Sequence, residues 1–225
     1  MIKGDSSEYS LITKHIDSLN IGEVILTCEI GLREGLGSKV IMDAVRNHKP
    51  KIYKHVAIDP YNNLSYRHYD NEAIVVAGYT EEMKQQTVSE LYKNYPEFDF
   101  YHMTDNYYFK TMHEGHQFNV ENNLMLYGLY KVVHFDGPHT TKDVIDELNF
   151  FIPRAASKAL FILDDYQDLQ MGIVDMLLKT YNFNVAEKGE NKIIYQKEIY
   201  VYSDIRSCCK FGENMDRGQT KKSTT

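Results

Sequence analysis

The sequence predicts a doubly wound α/β domain: a mostly parallel sheet of seven strands, flanked by helices and ending in an antiparallel hairpin. Three observations predict it. Short apolar runs alternate with longer amphipathic segments, the pattern of strand–helix–strand units. Several of the runs end in a carboxylate or lead directly to one. The last two runs are separated only by GEN, too little chain for a helix, so they must pair as neighbours.

Residues 6–18 (SSEYSLITKHIDS) read as a leading helix with a serine cap. The first five strand-like runs are 24–29 (VILTCE), 55–59 (HVAID), 98–103 (FDFYHM), 130–136 (YKVVHFD) and 158–164 (KALFILD). Each is too short for an independent helix, and their β-branched and aromatic content suits strands buried on both faces. Between them, residues 80–94 read as a helix. Residues 140–152 read as another: Thr140 caps it, Asp143 follows three positions on, and Val144, Ile145, Leu148, Phe151 and Ile152 recur at helical spacing. Pro153 is expected to stop it. Runs 183–188 and 192–200 form the terminal hairpin, and the long stretch 60–79 is expected to act as a lid. There is no internal repeat. The expected organisation is an N-terminal helix over 1–20, a single domain over 21–201 and a polar tail over 202–225.

The chain has 225 residues, 43% of them hydrophobic and 25% charged, with a net charge of -7. That acidic balance disfavours a protein that grips phosphate backbones, so a small-molecule partner is expected rather than nucleic acid. Three cysteines, Cys28, Cys208 and Cys209, make neither a disulfide framework nor a zinc spacing. The N-terminal MIKGDSSEYS lacks the apolar core of a signal peptide, and no apolar run reaches the ~20 residues of a membrane span. The expectation is a soluble, cytoplasmic protein with no membrane partner; whether it forms a homo-oligomer is left open.

After the first strand comes Glu29-Ile-Gly31-Leu-Arg-Glu-Gly35-Leu-Gly37-Ser38, opening into the helical run KVIMDAVRNH. Glycines there let the backbone turn sharply and approach a ligand. The order differs from the G-x-G-x-x-G of nicotinamide dinucleotide sites. Asp59 ends the next strand, where a carboxylate can accept both hydroxyls of a ribose. Asp105 follows the third strand and falls beside the base in the same picture.

The fourth strand ends in Asp136-Gly137-Pro138-His139 and the fifth in Asp164-Asp165-Tyr166. In a parallel sheet both ends open onto the ligand crevice, so Asp136, Asp164 and Asp165 are expected to converge. Three carboxylates repel one another unless protonated or bound to a cation, and hard oxygen ligands suit Mg²⁺. His139, three residues past Asp136, is a suitable general base near neutral pH; Lys142 is a weaker one. His113-Glu-Gly-His116 does not match the H-E-x-x-H zinc motif. The tyrosines at 61, 66, 69, 79, 107 and 108 would form a lid, an aromatic substrate wall, or core packing.

The glycine loop, Asp59 and the terminal hairpin together resemble the class I, Rossmann-like methyltransferases that use S-adenosylmethionine (SAM), over roughly residues 20–201. That resemblance implies Glu29 near the methionine amino group, Gly31, Gly35, Gly37 and Ser38 along the methionine and ribose, and Asp59 on the ribose hydroxyls. The runs FDGPHTTKDV and FILDDY further resemble metal-dependent O-methyltransferases, most of all those that methylate antibiotic sugars, where the pattern is approximately DG-x-H followed by DDY. Catechol-type enzymes usually carry asparagine at the position of Asp165 and commonly lysine at that of His139. The resemblance implies a sugar-like or vicinal diol acceptor, with Asp136, Asp164 and Asp165 on the metal and His139 or Asp136 taking the hydroxyl proton. Three alternatives stay open: a metal-independent methyltransferase acting on nitrogen or another acceptor, a SAM-binding module without turnover, and a nicotinamide oxidoreductase, which the loop order and hairpin disfavour.

Overall fold

Strand β1 (Val24–Ile30) stands in the interior of a seven-stranded sheet with its last six residues buried. A strand can be buried on both faces only where helices cover both, and this dictates the rest of the architecture. The computed structural model describes residues 2–4, 6–62, 64–76, 78–120 and 123–198; the expected tail at 202–225 lies outside the described residues. On one side β1 pairs in parallel with β2 (Ile52–Ile58), which pairs with β5 (Phe98–Tyr101). On the other side come β8 (Tyr130–Phe135) and β9 (Ala155–Leu163), also parallel. The hairpin of β10 (Phe183–Lys188) and β11 (Ile193–Lys197) completes the sheet, with β11 antiparallel to both β9 and β10. Two further antiparallel pairs stand outside it: β3 (Ser65–Arg67) with β4 (Ile74–Val76), and β6 (His116–Val120) with β7 (Asn123–Tyr127).

The alternation of side chains along each strand divides the core. Ile25, Val132, Leu160, Ile162 and Ile194 face α1 (Tyr9–Asp17) and α2 (Leu36–Asn47), packing with Ile12, Ile16 and Ile41. Helix α3 (Glu81–Asn94) continues that layer, its Leu91 meeting Met42, Ala57 and Phe98. The opposite face of the sheet, with Leu26, Cys28, Val133 and Phe161, packs against α4 (Asp105–Thr111), α5 (Thr141–Phe151) and α6 (Met171–Thr180). Among the described residues no helix is long and apolar enough to cross a membrane.

Local chemistry sets the helix starts. The hydroxyls of Thr80 and Thr140 each accept the backbone N–H three residues on, from Met83 and Asp143, both at 3.1 Å. The expected serine cap on the first helix is a correction. Glu8 holds the cap position, with φ +61° and no side-chain cap bond. Its carboxylate instead accepts the N–H groups of Glu190 (2.9 Å), Asn191 (2.7 Å) and Lys192 (3.0 Å) in the β10–β11 turn. Pro153 ends α5 as expected, inside a short 3₁₀ turn, Ile152–Arg154. The stretch expected as a lid holds the β3–β4 pair. It is tied down where His139 N–H donates to the His68 carbonyl (2.8 Å) and Thr141 N–H to Asp70 (2.9 Å).

Glu147 on α5 is 1% exposed, and neither carboxyl oxygen has a hydrogen-bond partner among the described residues. Burial pushes its pKa well above the ordinary value, with Asp105 and other acids adding to the shift, so the fold favours the protonated form. A folded-state pKa raised above the unfolded one means that stability is lost as pH rises past the ordinary glutamate value. Glu147→Leu should therefore stabilise the protein at neutral pH by about 1–3 kcal/mol, the cost of an unsatisfied buried polar group. It should also remove that falling limb, as read by urea unfolding at acidic and mildly alkaline pH.

Candidate functional site

The sheet grows outward in both directions from β1, so the chain reverses between β1 and β8, and a crevice opens there beyond the strand ends. A cavity of about 580 Å³ occupies it, lined by Gly31, Asp59, Asp105, Asp136, His139 and Asp165 among others. Gly31 adopts φ +84°, and a Cβ on it would lie 1.9 Å from the Asp136 carbonyl oxygen. Only glycine fits where the first loop crosses so close to the fourth strand end. Asp59 is 2% exposed and held by two backbone donors, Arg33 N–H at 2.9 Å and Tyr61 N–H at 2.7 Å. Burial outweighs those bonds and pushes its pKa up. Asp105 opens α4 at the same rim, and burial raises its pKa too.

Four of the residues expected to contact the cofactor, Glu29, Gly35, Gly37 and Ser38, are not among the cavity's lining residues. Glu29 is turned inward. One carboxylate oxygen meets His134 Nδ1 at 2.8 Å, the other accepts from the Ser38 hydroxyl, and all three side chains are buried. Gly37 lies against that carboxylate, where a Cβ would stand 1.9 Å from Oε1, and Gly35 packs on Thr87 and Leu91. The reason is that a fully buried acid needs hydrogen-bond partners, and His134 and Ser38 supply them.

The fifth strand end also departs from the expected ligand set. Asp164 and Lys192 are 2% and 0% exposed, and Lys192 Nζ lies 2.6 Å from Asp164 Oδ2 and 2.8 Å from Ser6 Oγ. Burial pushes the Asp164 pKa up, but nearby His134 and Lys192 more than offset it, and the net shift is downward. A carboxylate neutralised by a buried ammonium is a poor ligand for Mg²⁺, so the set Asp136, Asp164 and Asp165 does not fit that ion. The compact groups of ligand atoms among the described residues are instead His68, His139 and Asp165, and Glu29, His134 and Asp136.

His139 lies deeper than expected. Its side chain is 4% exposed, with Nε2 3.8 Å from Asp136 Oδ1 and 3.9 Å from Asp165 Oδ2. Burial pushes its pKa down to about 4 against the pull of Asp165, leaving the ring neutral at physiological pH. Lys142 is 78% exposed and pairs with Asp146 at 2.6 Å on the helix surface. Of the tyrosines, Tyr61, Tyr66 and Tyr79 line the cavity, and Tyr69 donates to Asp165 Oδ2 at 2.9 Å. Tyr108 is buried against His116 at 2.6 Å, and Tyr107 is exposed. Sequence reasoning missed His68, Arg33 and Asn191 on the cavity wall, and Lys192 behind it. The aromatic run Tyr66–Tyr69 was a usable signal for His68; the others had none.

The family model described as a methyltransferase domain matches residues 28–166. The O-methyltransferase NovP shares the fold with a TM-score of 0.55 at 14% identity, over 85% of this chain and 79% of its own. TomG of Streptomyces achromogenes, an O-methyltransferase involved in tomaymycin synthesis and solved with SAM, gives 0.54 at 11% identity over 88% and 82%. An O-methyltransferase from Bacillus cereus solved with SAH gives 0.53 at 9% identity over 87% and 83%. An rRNA methylase from Streptococcus thermophilus shares the fold as well, at 0.51 and 7% identity over 88% and 100%, so the fold leaves the acceptor open. No curated protein matches by sequence. Sheet order, glycine loop and family match define a class I, SAM-dependent methyltransferase with a Rossmann-like sheet. The chain belongs to the family of methyltransferase domains, whose model covers more than half of it.

Breaking the buried pair tests the account of the fifth strand end. Lys192→Met should destabilise the protein by about 3–5 kcal/mol, because it leaves Asp164 charged and buried alone. Lys192→Met combined with Asp164→Leu should recover most of that loss in urea unfolding. An Asp164 free to serve as a metal ligand would instead tolerate Lys192→Met.

Proposed function

We propose that the protein transfers the methyl group of SAM to a hydroxyl of a small, sugar-like or vicinal diol acceptor. The observation that carries this reading is one cavity that Asp59 and Asp105 line together with Asp136, His139 and Asp165, the last three lying close to one another. On this reading Asp59 and Asp105 form the cofactor end and the other three the acceptor end. At the first end Asp59, fixed by two backbone donors, keeps lone pairs for the ribose hydroxyls, and Asp105 lies beside the adenine. Gly31 leaves room for the backbone to approach the methionine. Glu29 acts from behind the loop, holding Ser38 and His134 in place.

At the second end the acceptor hydroxyl must lose a proton as its oxygen bonds to the methyl carbon and the carbon–sulfur bond breaks. Asp136, with 16% of its side chain exposed against 4% for His139, takes that proton. The neutral His139 ring stands next to it. Orientation of the hydroxyl in line with the methyl supplies much of the remaining rate. The expected magnesium site loses Asp164 to Lys192, which favours a transfer that does not depend on three carboxylates around Mg²⁺.

Calorimetry tests the first end. SAM should bind the wild type, and Asp59→Ala should weaken binding by at least about tenfold, the effect of losing one charge-assisted hydrogen bond. A wild type that ignores SAM and binds a nicotinamide dinucleotide would overturn the reading. For the second end, sugars, catechols and polyols would be screened for methyl transfer. With an acceptor in hand, Asp136→Asn should lower turnover about 10²–10⁴-fold, the usual contribution of a general base, and leave SAM affinity nearly unchanged. Methyl transfer confined to nitrogen acceptors would rule out the hydroxyl.

A further inference from the structure

We propose that His68, His139 and Asp165 bind a first-row transition ion of the zinc or cobalt kind in the wall of the cavity. Each residue offers a ligand atom, and all three atoms lie within 4.8 Å of one another. Ligands around an ion at about 2.0–2.2 Å stand roughly 3–4 Å apart, so closure by about an ångström completes the site.

A second, independent observation is the state of His139. It is buried and lines the cavity, and its ring Nε2 stands between two carboxylates at long range. Its nearest carboxylate oxygens, at 3.8 and 3.9 Å, are beyond hydrogen-bond reach and at the spacing of atoms that share an ion. The outer contacts a metal site needs are also present. Tyr69 donates to Asp165 Oδ2 at 2.9 Å, and Tyr66 Oη stands 3.2 Å from His68 Nδ1, leaving His68 Nε2 for the ion. The backbone N–H of His139 already donates to the His68 carbonyl, which ties the two residues together, with ring centroids 5.0 Å apart.

Donor chemistry selects the ion. Two imidazoles and one carboxylate favour zinc, cobalt, nickel or iron over magnesium, which prefers oxygen ligands. His68 lies between β3 and β4, while His139 and Asp165 follow β8 and β9, so the ion joins the hairpin segment to the strand ends. This goes beyond the methyl-transfer reading: it adds a clasp in the cavity wall and does not need SAM in order to bind.

The test uses the full chain, stripped of metal, and the same chain carrying Cys208→Ser and Cys209→Ser to remove competing thiols. Co²⁺ is the probe, followed by its visible spectrum. The expected result is one Co²⁺ per chain, displaced by Zn²⁺ but not by a large excess of Mg²⁺. His68→Ala and His139→Ala should each weaken binding at least about tenfold, and His102→Ala, at an exposed histidine elsewhere on the rim, should not. Hydrogen exchange over residues 65–76 should slow when Co²⁺ binds. Should His139→Ala fail to fold, His68→Ala and the exchange pattern decide the matter. Co²⁺ binding untouched by His68→Ala, or displaced by Mg²⁺ at comparable concentration, would overturn the site. Because no step uses SAM, a chain that binds Co²⁺ through these histidines but ignores SAM keeps this site and loses the proposed function; the reverse result loses only the site.

Discussion

A polar group placed in the interior of a protein must find its partners there, and Glu29 is the clearest case in this fold. Its carboxylate joins β1 to His134 on β8 and to Ser38 at the start of α2. From Ser38 the chain of contacts runs on to His55 Nε2 at 2.8 Å on β2, then from His55 Nδ1 to Thr27 at 2.7 Å, and from Thr27 to Tyr53 at 3.0 Å. Three adjacent strands and one helix are thereby held in a single register under the glycine loop. In a low-dielectric interior such a network is stiff when satisfied and costly when cut. The position of α2, and with it the shape of the loop that faces the cavity, depends on this one acid.

The same reasoning explains the electrostatics of the crevice. Asp59, Asp105, Asp136, Asp164 and Asp165 all line it, and Lys192, behind the wall, answers Asp164. Five acids around one cavity, only one of them paired with a buried lysine, produce a negative field that low-dielectric walls concentrate. A sulfonium cofactor carries a positive charge into that field and loses it on transfer, so the spent cofactor is attracted less than the fresh one.

Much of the fold was legible because it rests on short-range rules. Buried parallel strands show up as apolar runs, so β1, β2, β5, β8 and β9 could be placed from sequence, and Thr80 and Thr140 announced their helices through local capping. Gly31, Asp59 and Asp105 could be placed at the cavity because strand ends of a parallel sheet share one rim. What escaped was set by partners far away in the chain. Glu8 was recruited by a turn at 190–192, and Lys192 reached back to Asp164. Glu29 turned toward His134, which is 105 positions distant. His139 was expected to face the crevice and does line the cavity, but its depth depends on the β3–β4 segment folding over it, and nothing in the spacing of DGPH encodes that.

The clasp between Glu8 and the β10–β11 turn bears on how the molecule is made. Ser6, Ser7 and Asn191 belong to the wall of the cavity, and Asn191 donates to Ser7 Oγ at 2.7 Å across 184 positions of chain. A ribosome releases residue 7 long before residue 191, so this part of the wall cannot form until the β10–β11 turn has emerged. The central strands can pair earlier, but contacts of such long range form slowly and late. Until the last hairpin docks, the crevice stands open on that side, with Asp164 facing water instead of Lys192. Ligand competence therefore waits on the docking of that hairpin.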